Sequence, residues 1–148
     1  MARAAVLELL RGDGELVALG GDGFDPETMI VAQFSYDQRP SSVGPFIVIC
    51  WRTTPFSGEV QENAEKRFDV YVHIPIAVST DFGRVDAMLD RIDTIFAAVE
   101  GFPVTGGDGM QLNYVGFRGR GPDQTDEGYE TICRPASYMA LSCSATDV

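Results

Sequence analysis

The sequence predicts an α+β domain: a mainly antiparallel sheet packed on one face by a central amphipathic helix, with a short N-terminal helix. Three observations carry this. Phe68, Val70, Val72 and Ile74 alternate strictly with other residues, which marks a strand buried on one face. Val85, Met88, Leu89, Ile92, Ile95, Phe96 and Val99 recur at helical spacing as one apolar stripe. The sheet face and the helix stripe each need an apolar partner, and each supplies the other's.

Taken in order, Val6, Leu7, Leu9 and Leu10 cluster as on a short helix over Arg3 to Arg11, which Gly12-Asp13-Gly14 interrupts. Leu16 to Leu19 form a second short turn that runs into Gly20-Gly21-Asp22-Gly23. Ile30 to Tyr36 read as a strand, and the turn-rich Asp37 to Gly44 segment leads to Phe46 to Trp51, apolar on both faces and so a central strand. Thr53 to Glu65, with Pro55, Ser57, Gly58 and several carboxylates, reads as a solvated loop or hairpin arm. Arg67 to Ile74 is the half-buried strand. The central helix begins near Thr80 or Asp81, short polar residues that can cap free amides, and stops at Gly101 and Pro103. Met110 to Arg118 and Thr131 to Cys143 are two further strands, with Pro135 placing the start of the last at an edge or a bulge. Between them Gly119 to Glu130 is glycine-rich and acidic, as in a mobile hairpin tip.

A length of 148 residues and 45 % hydrophobic content suit one domain over residues 1–148. The 22 Asp and Glu against 11 Lys and Arg leave a net charge of -11, which repels a phosphate backbone and an anionic membrane alike. Charges at Glu8 and Arg11 interrupt any apolar signal core, so synthesis and use in the cytoplasm, or in something assembled there, is expected. Cys50, Cys133 and Cys143 are an odd count, and on one extended strand the last two would stand about 33 Å apart, so reduced and partly buried thiols are expected.

Catalytic signatures are missing from the sequence. His73 is the only histidine, and its strand's alternation turns it away from Phe68, Val70 and Val72, to the surface or under a loop. It lacks the orienting partner of a triad. There is no Gly-x-Ser-x-Gly, Cys-x-x-Cys or Gly-x-x-x-x-Gly-Lys. Gly20 to Asp25 matches the first six positions of a calcium-binding nonapeptide, but that architecture needs tandem copies, and a plain turn is the better reading. Asp86, Asp90 and Asp93 share one helical face and could attract a divalent ion; a face turned to water or to a partner is favoured. Trp51, Phe46 and Tyr71 are read as core and not as a ligand pocket. No metal, cofactor or catalytic residue is assigned.

Several segments in order resemble the tail-terminator (tail-completion) proteins of long-tailed bacteriophages. They are the leucine-rich first helix ending Leu16-Val17-Ala18-Leu19-Gly20, the strand opening Pro45-Phe46-Ile47-Val48-Ile49, the strand Phe68-Asp69-Val70-Tyr71-Val72, the amphipathic helix Arg84 to Val99, and the final strand around Arg134. The likeness covers most of the chain and lies in length, element order and strand-opening motif; the Gly119 to Glu130 tip and the 101–109 loop have no counterpart in the family. The resemblance implies a single tail-terminator-like domain without enzymatic activity. It would form a homohexameric ring in the virion tail, assembled in the host cytoplasm, that caps the tail tube and joins it to the head connector. The implied partners are other copies of the chain, the tail-tube protein and a connector or stopper protein, with DNA passing through unheld and no membrane involved. Alternatives are a stopper subunit, or a non-viral α/β domain that binds a small ligand or uses carboxylate chemistry. The exposed charges of the two long loops are the candidate subunit or partner contacts: Glu59, Glu62 and Glu65 in the first, and Arg118, Arg120, Asp123, Asp126 and Glu127 in the second.

Overall fold

The computed structural model describes residues 2–32, 44–52 and 66–144. Three short helices come first: α1 (Arg3–Arg11), α2 (Gly14–Gly20) and α3 (Pro26–Met29). Asp13 caps α2 by accepting from Leu16 N at 2.9 Å, and Asp25 caps α3 through Glu27 N, with Pro26 in its first turn. The Gly20-to-Gly23 run is a turn between these two helices, with Gly21 at φ 88° and Gly23 at φ 79°, a region that glycine alone enters without strain.

The strands are β1 (Ile30–Ala32), β2 (Phe46–Arg52), β3 (Lys66–Pro75), β4 (Val104–Thr105), β5 (Met110–Arg120), β6 (Gln124–Asp126) and β7 (Thr131–Ser144). They form one sheet in the order β1-β2-β3-β7-β5-β4, with β6 also pairing β7. Every pairing is antiparallel except β1 with β2, which is parallel. The strand expected over Ile30 to Tyr36 is thus present at Ile30–Ala32, and its remainder lies outside the described residues.

Of the two places expected for Pro135, an edge or a bulge, the structure shows an irregular break in the ladder and no edge. That residue lies within β7, which has neighbours on both sides and is no edge. The proline is tolerated because its partner strand is interrupted there. β5 ends at Arg120 opposite Ala136 and β6 resumes at Gln124 opposite Cys133, so residues 121–123 leave the ladder where β7 lacks a donor. The carbonyl of Pro135 still accepts from Gly121 N at 2.9 Å. The hairpin segment from residue 119 to 130 accordingly contains a short strand, β6, and a turn at residues 127–130.

Helix α4 (Phe82–Ala97) crosses one face of the sheet and ends in a single 3-10 turn, Ala98–Glu100. Asp81 starts it, accepting from Gly83 N at 2.8 Å. Val85, Met88, Leu89, Ile92, Ile95 and Phe96 are all buried, each contributing about 2 kcal/mol of apolar burial. They meet Phe68, Val70, Val72 and Ile74 of β3, Ile47 and Ile49 of β2, and Tyr138 of β7 in one core that also takes Val6, Leu10 and Leu16 from α1 and α2. Phe68, Phe96 and Tyr138 pack ring on ring, with centroids 4.9 to 5.5 Å apart. α1 closes on residues 104–109 so tightly that a Cβ on Gly106 would lie 2.5 Å from Ala5 N.

Candidate assembly surfaces

On α4, the spacing of Asp86, Asp90 and Asp93 aligns three carboxylates, and the structure turns that row toward arginines of the same chain. Arg120, at the end of β5, donates to Asp93 Oδ2 at 2.7 Å and to Asp90 Oδ1 at 2.5 Å, with Asp86 at 3.7 Å. Arg134 of β7 donates to Asp86 Oδ1 at 2.8 Å and to the Gly121 carbonyl at 2.7 Å, so it also braces the break between β5 and β6. Tyr138 Oη donates to Asp93. Burial, aided by that carboxylate, raises the Tyr138 pKa and keeps the phenol protonated. Burial alone would lower the Arg120 pKa, but the hydrogen bonds it donates to Asp90 and Asp93 outweigh it and raise the value. The expectation that this row faces water or a partner is therefore corrected: it clamps the β5–β6–β7 hairpin onto α4, although Asp90 stays largely exposed.

The candidate contact residues separate on this framework. Glu59, Glu62 and Glu65 lie outside the described residues. Arg118 and Arg120 belong to β5 and not to a loop. Arg120 is drawn into the clamp with only 16 % of its side chain exposed, whereas Arg118 is exposed on the opposite sheet face with its guanidinium against Met139 Sδ. Asp123 sits in the strand break, 3.7 Å from Arg134. Asp126 lies in β6 and accepts from Tyr129 N at 3.0 Å, while Glu127 is exposed in the turn.

The face of the sheet away from α4 holds a second cluster. His73 is buried beneath the hairpin turn, so of its two expected places the one under a loop is correct. Its ring stacks on Phe46 at 4.6 Å, meets the edge of Tyr129 at 5.4 Å, and shares a 2.8 Å hydrogen bond between Nδ1 and Thr131 Oγ1. Burial pulls its pKa down to about 4, with Asp126 opposing weakly. Cys133, directly across the ladder from His73, is pushed up to about 11 by burial and by Asp126. The two shifts run against a thiolate–imidazolium pair, and the ring contacts of His73 with Phe46 and Tyr129 are those of packing. An open depression of about 450 Å³ beside it is lined by Pro75, Ile76, Ala77, Tyr129 and Glu130.

Sequence reasoning missed Arg52 and Arg67. They stand opposite each other on β2 and β3, with Met139 and Arg118 continuing the line. The alternation of β3 places Arg67 on the face away from the helix, and its pairing with Arg52 puts that residue on the same face.

No protein-family model and no curated protein matches the sequence. Among solved structures, the chain is similar to one described as the virion of a native gene transfer agent particle, with a TM-score of 0.64 and 17 % identity over 94 % of this chain and 92 % of that one. That likeness is one of fold. It joins the two chains almost end to end, helices and sheet together.

Proposed function

We propose that the chain is a structural virion protein acting as a tail terminator. Its copies form a sixfold ring that caps the tail tube, ends tube polymerisation and joins the tube to the head connector, with no catalytic step. The observation that carries the reading is the end-to-end likeness of fold to a chain of a gene transfer agent virion, at 94 % and 92 % mutual coverage. The resemblance in element order and strand-opening motif to phage tail terminators points the same way. The charge of -11 suits a channel for DNA, because carboxylates do not retain phosphates as lysines would.

Light scattering on the purified full chain, with negative-stain images, tests the ring: a sixfold particle with an open channel is expected, and a stable monomer at all concentrations sinks the reading. Deleting the gene in its virus then tests the role. Tails of uncontrolled length are expected. Tails of normal length with heads that leak DNA would instead assign the chain to the stopper position.

A further inference from the structure

Apolar side chains are left in water at both ends of α4. Phe102, just past the closing 3-10 turn, is 80 % exposed, and Ile76, Ala77 and Val78, in the turn that leads into the helix, are all exposed. Three exposed apolar residues in succession beside a depression mark a contact site. The two ends differ in shape. At the first, Pro75, Ile76, Ala77, Tyr129 and Glu130 line the open depression of about 450 Å³, and an apolar cavity of roughly 150 Å³ already takes a benzene ring. At the second, Phe102 stands out as a single knob.

Both shapes are held in place before any partner arrives. Ile76 N donates to the Glu130 carbonyl at 3.0 Å, and Val78 N to that of Pro75 at 2.8 Å. Glu130 keeps φ 55°, a region that residues other than glycine seldom enter. Phe102 N is shared between the carbonyls of Ala98 and Val99 at 3.2 and 3.1 Å, and Pro103 stiffens the chain after it. Little ordering is left for binding to impose.

Charge follows the same division. Arg84 lies in the first turn of α4 and Glu100 in the closing 3-10 turn, and among the described residues neither side chain has a hydrogen bond or an ion pair. Each stands at the end of the helix where the backbone dipole disfavours it, so each gains from a partner of opposite sign. The 16 residues of α4 hold the two ends about 24 Å apart, and the knob and depression of one subunit cannot meet. Those of two copies can. Unlike surfaces at opposite ends make a head-to-tail contact, the type that generates rings. A buried aromatic anchor then offsets the repulsion between subunits of net charge -11.

We infer that Phe102 of one copy seats in the depression between residues 75–77 and 129–130 of a second copy, with Glu100 of the first brought toward Arg84 of the second. The inference rests on the ring reading and names the two ends that join.

Full-length variants test it. Phe102→Asp removes the knob and Ala77→Arg fills the depression, and each is expected to need concentrations about a hundredfold higher to form rings. Arg84→Glu and Glu100→Arg are expected to need about tenfold higher concentrations singly. Together in one chain they should restore ring formation, because every contact then pairs the reversed charges. Urea midpoints taken below the assembly concentration separate assembly from folding: each charge variant relieves a helix end, so its midpoint should hold or rise while assembly falls. Rings from Phe102→Asp at the unmodified concentration would overturn the inference and leave the ring reading intact, as would a double charge variant no better than its single parents. Phe102→Asp rings that form normally but no longer join tail tubes would move the knob to the tube contact and likewise overturn it. An unmodified chain that is monomeric throughout would remove both readings.

Discussion

Arg120 and Asp93 are 27 residues apart in sequence, and their side chains meet at 2.7 Å, joining the end of β5 to the middle of α4. Around that contact Asp86, Asp90, Arg134 and Tyr138 form a network that holds a hairpin and a helix in fixed relation. The surplus carboxylate of α4 is thereby used within the subunit.

Arg120→Ala is expected to lower the unfolding free energy by about 2 kcal/mol, since three aligned carboxylates lose a shared cation in a partly dry setting. Urea denaturation measures it, and a loss indistinguishable from zero would deny the clamp its role. Reversing Arg120 should therefore disturb assembly only together with a lowered midpoint. Reversing Arg118, exposed on the other face, should leave the midpoint in place.

His73 makes stability depend on pH in a defined direction. Its folded pKa is pulled down to about 4 from an ordinary 6.5, so between these values the unfolded chain binds the additional proton. The stabilisation is complete above about pH 6.5 and is lost progressively as pH falls toward 4, by up to about 3 kcal/mol. His73→Phe should flatten the stability profile in that window, measured as urea midpoint against pH. An unchanged slope would show that His73 is not the titrating group.

Asp13 has two duties, as the cap of α2 and as a two-point partner of Arg91, whose Nε and Nη2 lie 2.9 and 2.8 Å from its oxygens. The hydrogen bond from Arg91 is the main reason its pKa falls below the usual carboxylate value. Asp13→Ala should cost about 1 kcal/mol for the cap alone, and Asp13→Ser should recover that part without restoring the link to α4. Thermal melts of the pair would separate the two duties; equal losses in both variants would show the cap contributes little.

Gly106→Ala should destabilise by about 2 kcal/mol, because the new methyl would press on backbone of α1 and not on a side chain that can rotate away. Gly109→Ala tests a different cause, as that residue has φ 79° and open space around its Cβ position. Comparable melts for Gly106→Ala and the unmodified chain would mean that α1 shifts freely.

Much of the fold was legible because its signals are local. The α4 stripe from Val85 to Val99 and the alternation from Phe68 to Ile74 each declare a period within one element, and each met the other as expected. Pro135 left edge and bulge open because the break that accommodates it, residues 121–123, lies between two other strands. Arg120 read as a surface charge for the same reason: only the pairing of β5 with β7 carries it to the aspartates. Burial of His73 depends on Tyr129 folding over it from a turn that pattern alone leaves open. The α3 turn escaped notice since Pro26–Met29 is too short to show a period.

The strand pairing also dictates an order of events during synthesis. β7 joins β3 on one side to β5 and β6 on the other, yet it is made after all of them. Until residues 131–144 leave the ribosome, the two halves of the sheet have no common neighbour and the apolar stripe of α4 spans an unfinished surface. Contacts so distant in sequence close slowly. Residues 131–144 therefore complete the sheet in one late step, and until then the facing edges of β3 and β5 stand open.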